Sequence, residues 1–133
     1  MSLLVAVFLI PLEANYALAQ STHTINIPTG AGSPDAPFFW QNEDDGTTDG
    51  KVTINLAEYV NWENADTVPH TITSGTPKDG PDGKFDSGLI KPGGSFMYQF
   101  KEVGSYPYFD TVHPWMSGVV VVQSAFQVIQ KVG

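Results

Sequence analysis

Cysteine is absent from this 133-residue chain, and so is arginine; all six basic residues are lysines. Without cysteine there can be no disulfide, no thiolate metal ligand and no cysteine nucleophile. The six lysines are scattered among fourteen acidic residues, for a formal net charge of −8. That balance argues against nucleic acid and anionic membrane surfaces as partners. No apolar run is long enough to span a bilayer as a helix. Phosphate-binding and dinucleotide glycine patterns are missing, and no serine falls in a nucleophile-elbow pattern. Several large enzyme classes are thereby excluded.

What is abundant is turn chemistry, with 13 glycines and 10 prolines beside a hydrophobic content of 41%. A chain of this size forms one domain, and this composition favours an all-β protein. Leu3 to Ile10 is apolar and Ala17-Leu18-Ala19 fits a small-x-small cleavage pattern, although no lysine precedes the run. Residues 1–19 are therefore expected to be a signal peptide removed before Gln20. Residues 20–133 are expected to form a single domain with a core from about 25 to 122. This makes the protein exported, periplasmic or at the cell surface, and not membrane-inserted once the signal is removed.

Strand signals recur at intervals of roughly ten residues. Thr22 to Ile27 alternates as a half-buried edge strand, Lys51 to Leu56 alternates again, and Tyr59 to Asn64 places Val60 and Trp62 on one face. Val68 to Ser74 reads as a strand with an irregular start at Pro69. Thr76 to Gly83 reads as a loop. Phe96, Tyr98 and Phe100 share a face, and Val119 to Val122 is a β-branched run. Glu43, Asp44, Asp45 and Asp49 form an acidic stretch that lacks the regular spacing of a calcium loop and suits a solvated hairpin. The tail from Phe126 to Val132 fits either a last strand or a short helix.

The chemistry concentrates in Tyr108 to Gly118. Asp110, His113 and Met116 bring a carboxylate, an imidazole and a thioether together at three-residue intervals, in a loop that Pro114 keeps from becoming a helix. Such a donor cluster between two β segments suits a metal. His70, just after Pro69 at the mouth of a strand, is the natural fourth donor. His23 has no donor neighbour in sequence and is left as an ordinary residue.

Val68-Pro69-His70-Thr71-Ile72, Phe85-Asp86-Ser87-Gly88, Pro92-Gly93, Gly104 to Phe109 and His113 to Gly118 occur in an ordered series. This series resembles the cupredoxins, of the plastocyanin and amicyanin type, over about Ile25 to Val122. The resemblance implies a Greek-key β-sandwich with one copper ion at its end, an electron-transfer role and a redox partner protein. Carried over position by position, it implies His70, Asp110, His113 and Met116 as the metal set, with Asp110 where the family has its cysteine. Pro114 and Trp115 would then form an apolar docking rim, and the acidic stretch at 43 to 49 could steer a cationic partner.

The departure matters, because the colour and speed of blue-copper sites rest on a copper–thiolate bond. A carboxylate is a harder donor that favours Cu(II), so a lower potential and a more tetragonal centre are expected. Zinc would suit the same donors. Two alternatives remain in view: a copper site whose open position reacts with a small molecule such as nitric oxide, and a zinc-binding or structural β-sandwich module.

Overall fold

In Tyr59–Asn64 every second side chain, Val60, Trp62 and Asn64, is buried, and in Lys51–Asn55 the same holds for Val52 and Ile54. This period of two is what a strand with one face on a core produces. The computed structural model describes residues 21–124. The expected signal peptide at 1–19 and the tail from Phe126 to Val132 lie outside the described residues.

The described chain forms nine strands: β1 (Thr22–Ile27), β2 (Gln41–Asn42), β3 (Lys51–Asn55), β4 (Tyr59–Asn64), β5 (Thr73–Thr76), β6 (Gly80–Asp86), β7 (Ser95–Gln99), β8 (Gly104–Phe109) and β9 (Ser117–Gln123). They make two sheets, in the orders β2-β1-β4-β7 and β3-β9-β8-β5-β6. Pairing is parallel between β1 and β4 and between β3 and β9, and antiparallel elsewhere. The chain changes sheet after β2, β3, β4, β6 and β7, so the two layers are laced together as a Greek-key β-sandwich.

The core between the layers is aromatic. Trp62 meets Tyr108 edge-on at 5.1 Å between ring centroids and stacks on Phe96 at 6.0 Å, while Trp40 meets Tyr108 at 5.2 Å. Ile25, Ile27, Ile54, Val60, Ile72 and Val120 fill the space around these rings. Tyr108 is wholly buried, and its hydroxyl donates to the Gly50 carbonyl at 2.6 Å, as a buried phenol requires. Burial holds that phenol strongly neutral, raising its pKa well beyond the usual range.

Three sequence expectations need correction. β1 is not an edge strand, because the two-residue β2 pairs outside it. The strand expected from Val68 begins only at Thr73, since Pro69 offers no N–H to a ladder. The loop expected from Thr76 to Gly83 is largely strand: β6 starts at Gly80 and pairs with β5 through an irregularity between Thr73 and Gly75. Gly75 has φ of +126°, and a Cβ there would run into the Gly80 carbonyl. Turn residues thus serve a bulged hairpin rather than an open loop.

Candidate metal centre

Strand register brings the donors together. β5 pairs antiparallel with β8, Thr73 opposite Phe109, so residues just before β5 lie beside those just after β8. His70 precedes that pair by three positions and Asp110 follows it by one. His70 itself sits outside the ladder in an isolated bridge with Ile90, exchanging both backbone bonds at 3.2 and 2.7 Å. The bridge fixes its backbone without requiring a donor from Pro69.

The β8–β9 connection is a tight loop. The Met116 N–H donates to the His113 carbonyl at 2.9 Å, and the Asp110 N–H to the Met116 carbonyl at 3.0 Å. Asp110 Oδ1 accepts from the N–H groups of Val112 (2.9 Å) and His113 (3.2 Å), wrapping the loop around the carboxylate. Thr71 ties this loop to the His70 segment: its Oγ1 accepts the Thr111 N–H at 2.8 Å.

Asp110 Oδ2 then faces two imidazoles. His70 Nδ1 is 2.6 Å away and His113 Nδ1 is 3.0 Å away. One ligand atom from each of His70, Asp110 and His113 lies within 4.8 Å of the others. That convergence, with two nitrogens and one oxygen, suits a single divalent transition metal. The rings of His70 and His113 are 4.7 Å apart, and Trp115 meets His113 edge-on at 5.5 Å. Met116 is completely buried in the same loop. His70 and Asp110 side chains are 0% exposed and that of His113 is 13% exposed.

Electrostatics follow from this burial. Burial alone would raise the Asp110 pKa, but hydrogen bonds from His70, His113 and the Val112 N–H outweigh it and hold the carboxyl below its ordinary range. Burial likewise opposes charge on His70, yet the carboxylates of Asp110 and Asp66 outweigh it and raise that pKa.

Asp66 was not among the expected site residues. Its Oδ2 lies 2.8 Å from His70 Nε2 and accepts the Gly32 N–H at 2.9 Å. Its position in an Asn64–Thr67 turn gave no periodic signal, and only the fold shows which ring it faces. His23 also differs from expectation. Its Nδ1 meets Asp44 Oδ2 at 2.5 Å and its Nε2 meets Glu58 Oε1 at 2.9 Å, partners 21 and 35 positions away. The acidic stretch at 43 to 49 is exposed, as expected of a solvated segment, but it is not a hairpin: it joins β2 to β3 in the other sheet.

No protein-family model matches the chain. It is 36% identical over 73 residues to an amicyanin from Paracoccus versutus, a match covering 55% of this chain and 54% of that protein. The chain therefore spans about half the length of that relative. A solved copper(I) amicyanin variant, 21% identical with a TM-score of 0.54, covers 75% of this chain and 80% of its own and is alike in fold alone. A solved structure described as a novel purple cupredoxin from Nitrosopumilus maritimus is 30% identical. Its TM-score is 0.65, and the likeness takes in 75% of this chain and 98% of that one. With a matching sandwich and a donor cluster in which Asp110 stands in the cysteine position, the chain belongs to the cupredoxins.

Proposed function

We propose that the chain is an exported, mononuclear copper-binding cupredoxin of electron-transfer type, with residues 20–133 as its single domain. His70, Asp110 and His113 would hold the ion, with Met116 of the same loop as a further ligand or unbound. The observation that carries this reading is the convergence of both Nδ1 atoms on Asp110 Oδ2 at 2.6 and 3.0 Å. Ligand atoms of one metal shell stand about this far apart when each is roughly 2 Å from the ion.

A copper ion there would supply one-electron Cu(II)/Cu(I) chemistry. The chain's own residues hold three donors in place through the Asp110–Met116 loop and the Thr71 clasp, and they keep water from all but one edge of His113. Asp110 would bias a copper centre there toward Cu(II), because a hard anionic oxygen stabilises the higher charge. Val68, Val112 and Trp115, 36%, 50% and 40% exposed, lie in the two segments that carry the ligands and suit an apolar contact with a redox partner. The carboxylates of the 43 to 49 stretch would draw a cationic partner from a distance. Such a partner, and export to the periplasm or cell surface, accord with the amicyanin likeness.

The test is addition of Cu(II) to the metal-free protein with stoichiometry and electron paramagnetic resonance. One copper per chain, weak colour and a large parallel hyperfine splitting are expected, since no thiolate is present. His70→Ala and His113→Ala should each abolish tight binding in calorimetry. If neither weakens it, the ligand assignment is wrong and the sandwich is a structural module. Zinc is expected to compete for the same donors, and retention of zinc in preference to copper would make zinc the working metal.

A further inference from the structure

We propose that the seam between β6 and β7 holds a second ligand site, away from the metal centre, that takes a small aromatic monocarboxylate. It depends on neither the ligand assignment nor the copper chemistry above.

The site exists because of where strand pairing stops. β5 pairs with β8 only at Thr73 and Ser74, then bulges at Gly75 and departs with β6. Among the described residues, 104–107 of β8 therefore have no strand on that side, and Pro107 has no N–H to offer one. The gap opens a cavity of about 480 Å³, within the range of small-molecule sites. Its walls are aromatic. Phe100 is buried, and the half-buried rings of Tyr98 and Tyr106, from opposite sheets, each meet it edge-on at 5.0 and 5.1 Å between centroids. Both phenols are tied down: the Tyr106 hydroxyl donates to the Glu102 carbonyl at 2.7 Å and the Tyr98 hydroxyl to the Lys84 carbonyl at 3.4 Å. Walls already held in place lose little freedom on taking a ring.

Charge decides what kind of ring. Lys84 and Lys101 line the cavity with Glu102, two lysines against one glutamate, for a local balance of +1 in a chain whose formal charge is −8. Every ion pair among the described residues involves a histidine, so neither ammonium has a carboxylate within pairing distance there. Asp82, two residues from Lys84, gives its carboxylate to the Ser74 hydroxyl and the Lys84 N–H. Lys84 Nζ instead sits 5.3 Å from the centre of the Tyr106 ring, a weak contact at an exposed site. A carboxylate carried on an aromatic ring matches both features: the ring packs against the tyrosines and the carboxylate meets the lysines. One negative charge balances the lining, whereas a second would face Glu102. Tyr106 lies four residues before Asp110 on β8, about 13 Å along an extended strand, so the two sites share no side chain.

The test is a titration with sodium benzoate followed through amide and aromatic NMR shifts, with benzamide and cyclohexanecarboxylate alongside. Benzoate should move the resonances of Tyr98, Phe100, Lys101 and Tyr106 to saturation. Benzamide keeps the ring and lacks the charge, and cyclohexanecarboxylate keeps the charge and lacks the aromatic ring. Each should bind about 5-fold more weakly than benzoate. In the double variant Lys84→Gln, Lys101→Gln, benzoate affinity should fall about 10-fold while benzamide affinity stays the same. Equal binding of all three probes, no saturable shift at these residues, or an unchanged benzoate affinity in the double variant would overturn the proposal. So would shifts spread over Lys51, Lys78 and Lys91, or confined to His113 and Trp115, which would place the anion on scattered lysines or at the metal loop. Comparing the three probes on the unaltered protein needs no variant to fold.

Discussion

His70 and Asp110 are 40 positions apart, yet His70 Nδ1 lies 2.6 Å from Asp110 Oδ2 and neither side chain is exposed. Asp66 closes on the other side of the same ring, so a buried imidazole is bracketed by two carboxylates. Buried charges persist only when paired and hydrogen-bonded, and here each group has such partners. The arrangement fixes these three side chains relative to one another.

Asp110→Cys should convert the centre to a thiolate site. On addition of Cu(II), the variant is expected to show an intense visible absorption, a smaller parallel hyperfine splitting and a higher potential than the parent, because thiolate covalency stabilises Cu(I). Optical and electron paramagnetic resonance spectra with voltammetry measure all three. A colourless copper complex of the variant would mean that position 110 does not reach the metal.

Thr71→Val keeps the side-chain shape and removes the acceptor of the Thr111 N–H. Loss of that bond should cost about 1 kcal/mol in denaturant unfolding, with Thr71→Ser restoring most of it. An unchanged unfolding midpoint would show that the clasp between the two ligand segments contributes nothing to stability.

His23 offers a pH dependence away from the metal. Burial opposes its charge, but Asp44 and Glu58 outweigh burial and raise its pKa above the ordinary 6.5. A raised folded-state pKa means that the charged form is favoured by folding. The stabilisation is complete below the unfolded value and disappears as pH rises through the folded one. Unfolding free energy measured at about pH 5.5 and about pH 8.5 should therefore fall less in His23→Gln than in the parent. Equal falls in both proteins would assign the pH dependence to other groups.

Access to the metal is predicted to be poor. His70, Asp110 and Met116 are fully buried, and only the edge of His113 reaches solvent. Azide added to the copper-loaded protein should leave the resonance spectrum unchanged, as expected of an electron carrier. A shifted spectrum would favour the reading in which an open position takes a small ligand such as nitric oxide.

Much of this protein is legible from local pattern. The period of two in Lys51–Asn55 and Tyr59–Asn64 reports which faces are buried, because pleating forces alternate side chains to opposite sides of a sheet. The spacing of Asp110, His113 and Met116 marks a compact donor loop, because Pro114 forbids a helix and the valines after it demand a strand. His70 was reachable from its motif, although its strand was misplaced: a bridge to Ile90 does for it what a ladder does for Thr73.

The remaining features depend on register between segments far apart in the chain. Asp66 becomes a partner of His70 only because the 64–67 turn folds back over the entry to β5. His23 finds Glu58 because β1 runs parallel to β4, with Thr22 beside Tyr59, and the turn before β4 brings the carboxylate up to the ring. Short-range sterics and hydrophobic period write strands, turns and the donor loop into the residues themselves. Which strands pair, β5 with β8 and β1 with β4, decides that Asp110 meets His70 and Glu58 meets His23, and no local pattern contains that.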